Sequence, residues 1–169
     1  IDRIELAKIG HSAEASAQSG RASPTDSAAS SLGGCVVVSG EKNEDWEHVF
    51  DTSLMTPEGE RKWSIHSIDL HEKIINSWLV LGFTGEASPT GEMVSGVASR
   101  LKENPELYDE MEAIENITKA GLKALELGSL EAVGIAMNSC HEKLKILGVS
   151  TPALDNMVSM TRQHSFGSK

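Results

Sequence analysis

All of the strand character in this chain is confined to its middle. β-branched and apolar runs fall between Cys35 and Phe83, whereas helical periodicity, bracketed by capping and stop signals, occupies what comes before and after. Strands gathered in one stretch and helices in others do not make the alternating pattern of a parallel, doubly wound sheet. They predict an α+β fold. With 169 residues the chain is long enough for one domain, or for one large part of a two-domain fold.

The helical stretches are marked by their ends. Asp2 can cap a helix over 2–18, with Ile4, Ala7, Ile9 and Ala13 at rough helical spacing and Gly20 as its stop. Ser23-Pro24-Thr25-Asp26 predicts a second start, with Ser23 as cap, Pro24 in the first helical position and Asp26 in the first turn. That helix runs to Ser31 and stops at Gly33-Gly34. Cys35 to Ser39 then reads as a buried strand. Residues 40–62 are polar and mixed, a loop region with at most a short strand at His48–Phe50. Trp63 to Leu70 is a weak strand and Trp78 to Phe83 a stronger one.

Helices fill the rest. Ser88-Pro89-Thr90 opens one that runs to about Lys102, where Asn104-Pro105 breaks it. Leu107 to Leu127 carries Met111, Ile114, Ile117, Leu122 and Leu125 as a core-facing stripe. Ser129 caps the next helix, to about Leu147, and Ser150-Thr151-Pro152 opens the last, to about His164, with Leu154, Met157 and Met160 as its stripe. Aromatic residues are only 4% of the chain, so aliphatic side chains, Ala and Met must fill the core.

The formal net charge of −10 disfavours a nucleic-acid partner, which leaves a basic footprint. No apolar run has the length of a membrane span, and no signal pattern opens the chain, so a cytoplasmic location is expected. Cys35 and Cys140 have no CxxC spacing and read as two buried thiols. The histidines show no zinc-ligand spacing, and His141, at helical spacing from Met137 and Leu144, reads as a packed helix residue.

The most specific stretch is Gly20-Arg21-Ala22-Ser23-Pro24-Thr25-Asp26, followed by Ser31-Leu32-Gly33-Gly34. Upstream stands Ala7-Lys8-Ile9-Gly10-His11, leading to Glu14. Downstream come Trp78-Leu79-Val80-Leu81-Gly82-Phe83-Thr84-Gly85, then Met137-Asn138, His141 and Leu144, and finally Leu147-Gly148-Val149-Ser150 with Leu154-Asp155. Taken together, and over the whole of residues 1–169, these residues resemble the mevalonate kinases of the GHMP kinase superfamily in their archaeal style. The resemblance implies a GHMP kinase-like α+β fold. Residues 1–75 would be the end of the N-terminal domain, and residues 76–169 a truncated C-terminal domain with an antiparallel sheet backed by helices.

The same resemblance implies a reaction: transfer of the ATP γ-phosphoryl group to the 5-hydroxyl of mevalonate, in isoprenoid synthesis, with Mg²⁺ as cofactor. An alcohol is a poor nucleophile at neutral pH, and a carboxylate within reach of its hydroxyl can take the proton as the phosphorus–oxygen bond forms. By the resemblance Asp26 is that base, at a helix N-terminus that favours negative charge. Glu14 is the implied Mg²⁺ ligand, and Ser23, Thr25 and Thr84 are implied substrate contacts. Periodicity alone gives blander roles. Asp26 lies near capping-box spacing from Ser23, Glu14 is a solvated helix residue, Thr84 a turn residue and Arg21 a surface residue or a carboxylate partner.

Two elements of the family pattern do not occur in the sequence: a Gly-Ser-Ser-Ala phosphate loop, and a Gly-rich turn that would follow Lys169. With Ile1 in place of a starting Met, a fragment is expected, inactive as a kinase on its own and inclined to dimerise or aggregate through uncovered strands. Within the superfamily the alternatives are another small-molecule kinase or a mevalonate-pathway decarboxylase, although retention of Asp26 argues against relatives that have lost the base. Outside it, the alternative is a non-catalytic binding module, which detection of ATP binding would separate.

Overall fold

The computed structural model describes residues 1–18, 20–56, 59–87 and 89–169, so Ser88 of the expected Ser88-Pro89-Thr90 helix start lies outside the described residues. The chain forms two compact units, Ile1–Asp69 and Leu70–Lys169. It is a mixed helix and sheet structure, with one three-stranded antiparallel sheet among the described residues.

In the first unit, α1 (Arg3–Ala17) opens with a full capping box. The Asp2 carboxylate accepts the Glu5 N–H at 2.8 Å, and Glu5 accepts the Asp2 N–H at 3.2 Å. The helix buries Ala7, His11 and Ala15, one residue per turn along a single stripe. Against it packs α2 (Thr25–Leu32), whose Ala28 is wholly buried. Small residues at this seam let the two helices approach closely: a Cβ on Gly10 would stand 3.2 Å from that of Ser27.

The sheet comprises β1 (Cys35–Ser39), β2 (Glu47–Thr56) and β3 (Gly59–Ile68), in the order β1-β3-β2. Register runs from Cys35 opposite Ile68 to Ser39 opposite Ser64, and from Glu47 opposite Ser67 to Thr56 opposite Gly59, with an irregularity between His48 and Phe50. Alternation gives the sheet two unlike faces. Phe50 and Ile65 join Ala7 and Ala28 in the core, with Val36, Val38 and Trp63 packed alongside. The opposite face carries His66, wholly buried beneath the 40–46 loop. The Asn43 N–H donates to His66 Nε2 at 3.0 Å, and Trp46 and His48 stand edge-on to the ring. Burial pushes the His66 imidazole below its ordinary value, which suits a ring nitrogen that accepts a hydrogen bond.

Two strand expectations are corrected here. The 40–62 stretch is no loop: ten residues of it form β2, and β3 begins at Gly59. As the edge strand β2 exposes alternate residues and is largely polar, so its sequence lacks an apolar rhythm. Conversely Trp78–Phe83 is apolar yet forms no strand, because no described strand lies beside it to receive its backbone hydrogen bonds. Trp78 is 94% exposed and Phe83 75%.

An apolar run this open promotes association. The isolated 169-residue chain is expected to self-associate in sedimentation, and Leu79→Lys with Leu81→Lys to shift it towards monomer. A monomer at all concentrations for the unsubstituted chain would count against this.

The second unit is helical. After the short α3 (Glu72–Ile75) come α4 (Thr90–Glu103), a 3₁₀ turn at Pro105–Leu107, α5 (Tyr108–Leu127), α6 (Leu130–Ile146) and α7 (Pro152–Arg162). Helices α5 and α6 pack as a pair across Gly128-Ser129, where Ser129 Oγ accepts the Ala132 N–H. Lys143 meets Glu110 at 2.7 Å across them. Arg100 of α4 donates to the Leu147 carbonyl at 2.6 Å, and Thr151 caps α7.

The expected stripes are only part-buried. Met111 and Met160 are exposed, and the fully buried positions of α5 and α7 are Ala124 and Val158. At Gly134 the backbone of α6 touches that of Phe166 and Gly167, where a Cβ would collide with the Phe166 carbonyl. Of the two thiols, Cys140 is buried and Cys35 half-buried, and burial raises the latter's pKa.

Candidate active site

The segment leading into α2 gathers three of the residues singled out in the sequence. Pro24 is among the few fully buried residues and is the N-cap of α2, which has no side-chain cap bond. The expected order, with Ser23 as cap and Pro24 one position inside, is therefore shifted by one residue. Ser23 Oγ instead lies 2.7 Å from Thr25 Oγ1 and accepts the Thr25 N–H at 3.3 Å. Ser27 Oγ donates back to the Pro24 carbonyl at 3.1 Å. The capping-box alternative for Asp26 is not realised. Its side chain is exposed in the first turn of α2, flanked by hydroxyl-bearing residues.

Glu14 lies half-buried on α1, the helix packed against α2, and its carboxylate accepts from Gln18 Nε2 at 3.0 Å. Among the described residues no three or more His, Cys, Asp or Glu side chains gather as a metal cage. A lone carboxylate does fit Mg²⁺, which keeps several waters and binds through one or two carboxylates together with substrate phosphates. Thr84 belongs to the second unit, where its Oγ1 accepts the Glu86 N–H at 3.3 Å and closes a local turn.

One residue of this corner carried no individual signal in the sequence. His11 is 2% exposed on the inner stripe of α1, its Nε2 3.2 Å from the Ala22 carbonyl and its ring edge-on to Trp63 at 5.4 Å. In the sequence it stands only as the end of Ala7-Lys8-Ile9-Gly10-His11, with no role of its own, and the stripe expected there is Ile4, Ala7, Ile9 and Ala13, whereas the buried positions are Ala7, His11 and Ala15.

The second unit has its own polar cluster, built on Asp155. One carboxylate oxygen accepts from both His141 Nε2 (3.1 Å) and Ser150 Oγ (2.7 Å), and Lys145 Nζ lies 2.9 Å from the other. Serine and histidine share the carboxylate and are not bonded in series, so this is no nucleophilic triad. It ties the C-terminal end of α6 to the start of α7. Lys145 foremost, then Ser150 and His141, hold the Asp155 carboxyl down at about 2 against an ordinary 3.8. A depressed carboxyl contributes its stability above the unfolded value and loses it as pH falls through the folded one. The clasp is therefore expected to be complete above about pH 3.8 and to fail towards about pH 2. Asp155→Asn should flatten that part of the stability–pH curve, as followed by helix content. An unchanged acid limb would refute the assignment.

No family model matches the chain. Among curated proteins, the mevalonate kinase of Pyrococcus furiosus is 28% identical over 170 aligned residues, covering 96% of this chain and 42% of the relative. That of Methanothermobacter thermautotrophicus is 30% identical over 159, covering 94% and 44%. The Pyrococcus horikoshii enzyme is 35% identical over 92, half of this chain. The chain thus spans about two fifths of the length of the curated relatives that it matches across nearly its whole extent. Over nearly its whole extent the chain is a sequence relative of the archaeal mevalonate kinases.

Proposed function

We propose that the protein containing this chain is an ATP-dependent kinase that phosphorylates the 5-hydroxyl of mevalonate. The observation that carries this reading is the exposed Asp26 carboxylate at the start of α2, uncommitted to capping, in a chain that aligns along nearly all its length with mevalonate kinases. Asp26 would accept the hydroxyl proton of the substrate, a role that needs hydrogen-bond reach and an ionised carboxylate. Ser23 and Thr25 would contact the substrate from the same turn, and the resemblance makes Thr84 a further candidate contact. Glu14 would hold Mg²⁺, which when bound neutralises charge on the ATP phosphates.

Division of the chain near residue 75, into the end of an N-terminal domain and the beginning of a C-terminal one, belongs to the same proposal. So does a cytoplasmic setting. No described helix is long and apolar enough to cross a membrane.

The test is release of ADP from ATP by the natural protein, measured with and without mevalonate. Mevalonate-dependent release supports the reading. ADP release that responds only to a different small alcohol, or none at all, overturns it.

A further inference from the structure

We infer that His11 is a positioning residue: its imidazole, reaching from α1 to the Ala22 carbonyl, holds the Ser23–Asp26 turn in register with the helix that carries Glu14. This rests on the phosphoryl-transfer reading above. The starting point is an omission. Helix α2 has eight residues and no side-chain cap bond, and the local bonds of Ser23, Thr25 and Ser27 tie its first turn only to itself, not to α1. Two tertiary contacts stand in for the cap. One is Pro24, fully buried. The other is His11 Nε2, 3.2 Å from the carbonyl oxygen of Ala22, two residues before Pro24.

A carbonyl only accepts, so Nε2 carries the proton and donates. A polar ring that is 2% exposed is costly to bury without such a bond, and the bond in turn fixes where the carbonyl can lie. The ring cannot swing to release it. Trp63 stands edge-on at 5.4 Å with an interplanar angle of 81°. The neighbouring Gly10 brings the α1 backbone close to Ser27 of α2. Along α1, Glu14 follows His11 by three residues and so lies one turn on, along the same side of the helix. One imidazole therefore links the helix bearing the carboxylate proposed for Mg²⁺ to the turn bearing the proposed base. Misplacement of a reacting group by about 1 Å can cost on the order of 10²-fold in rate.

Two substitutions separate packing from the hydrogen bond. His11→Phe keeps a ring against Trp63 and removes the donor, whereas His11→Gln keeps an N–H donor at similar reach. In the natural protein, His11→Phe is expected to speed backbone hydrogen exchange at Ala22, Ser23 and Thr25 by about tenfold or more, with the amides of β3 unchanged. General loss of stability would instead speed all of them together. In the natural protein, His11→Phe is expected to lower kcat on the order of 10-fold or more with KM for ATP unmoved. His11→Gln should recover most of both effects.

Wild-type exchange at 22–25 in His11→Phe, or a Gln variant no better than Phe, would overturn the inference. So would an unchanged kcat in His11→Phe while Asp26→Asn is crippled, and in that case the kinase reading survives. A full-rate Asp26→Asn removes Asp26 as the base. The exchange experiment then still decides whether His11 holds the turn.

Discussion

Replacing Asp26 by Asn in the natural protein is expected to lower mevalonate-dependent turnover by on the order of 10²–10⁴, the range over which a general base contributes. The substitution keeps the size of the side chain and removes its capacity to take a proton. Stability should barely move, because Asp26 is exposed and α2 draws no cap bond from any side chain. Turnover with saturating ATP and mevalonate, beside a thermal melt of the same preparation, separates the two effects. A variant that turns over at the full rate would reduce Asp26 to a favourable charge at a helix N-terminus. A variant that melts much earlier would make it a structural residue.

The largest effect expected on stability lies in the first unit, at Ile65. This side chain is fully buried at the centre of the core, in a cluster with Ala7, Ala28 and Phe50. Ile65→Ala should cost about 2–5 kcal/mol, the sum of lost burial and a residual cavity. The buried helical neighbours of Ile65 are Ala7 and Ala28, with the part-buried Ile4 and Leu32 packed against the cluster, and how far these close the space sets where in that range the cost falls. A unit of this size has little stability to spare. The variant should therefore lose the fixed environments of Trp46 and Trp63, visible in near-ultraviolet circular dichroism, while the helical signal of the second unit persists. Leu79→Ala, at a position 77% exposed, is the control and should change the melt very little. An Ile65→Ala cost below about 1 kcal/mol would mean that the core is assembled differently.

The sequence shows helices well here because their ends are chemical events. Asp2 and Ser129 are read as caps and do accept the expected backbone N–H groups, and within the Ser150-Thr151-Pro152 opening it is Thr151 that caps. At Ser23 the same reasoning misplaces the cap by one residue, since the burial of Pro24 and not a side-chain bond decides where α2 starts. Strands are less legible because apolar rhythm reports burial, whereas a strand is made by pairing. β2 pairs along its whole length with β3 yet carries Asp51, Thr52, Ser53 and Thr56, so it reads as loop. Trp78–Phe83 has the composition but no described strand beside it. The Ser23–Asp26 turn is visible as a pattern of residue types. His11 is visible only as the end of the Ala7–His11 motif and not as a contact, since the carbonyl it binds is set by how two helices meet.

The order β1-β3-β2 places the last strand of the first unit at its centre. On the ribosome this has a consequence for timing. Within residues 1–169 the described partner residues of β1 are Ser64 to Ile68, the last of this sheet to be made. At roughly 5–20 residues per second, that pairing follows the emergence of β1 by on the order of seconds. The hairpin of β2 and β3 closes locally around Thr56 and Gly59 and can zip quickly. Joining β1 to it spans a longer loop and comes later. Of the three strands, Cys35–Ser39 is thus the one that waits longest for its partner in this sheet.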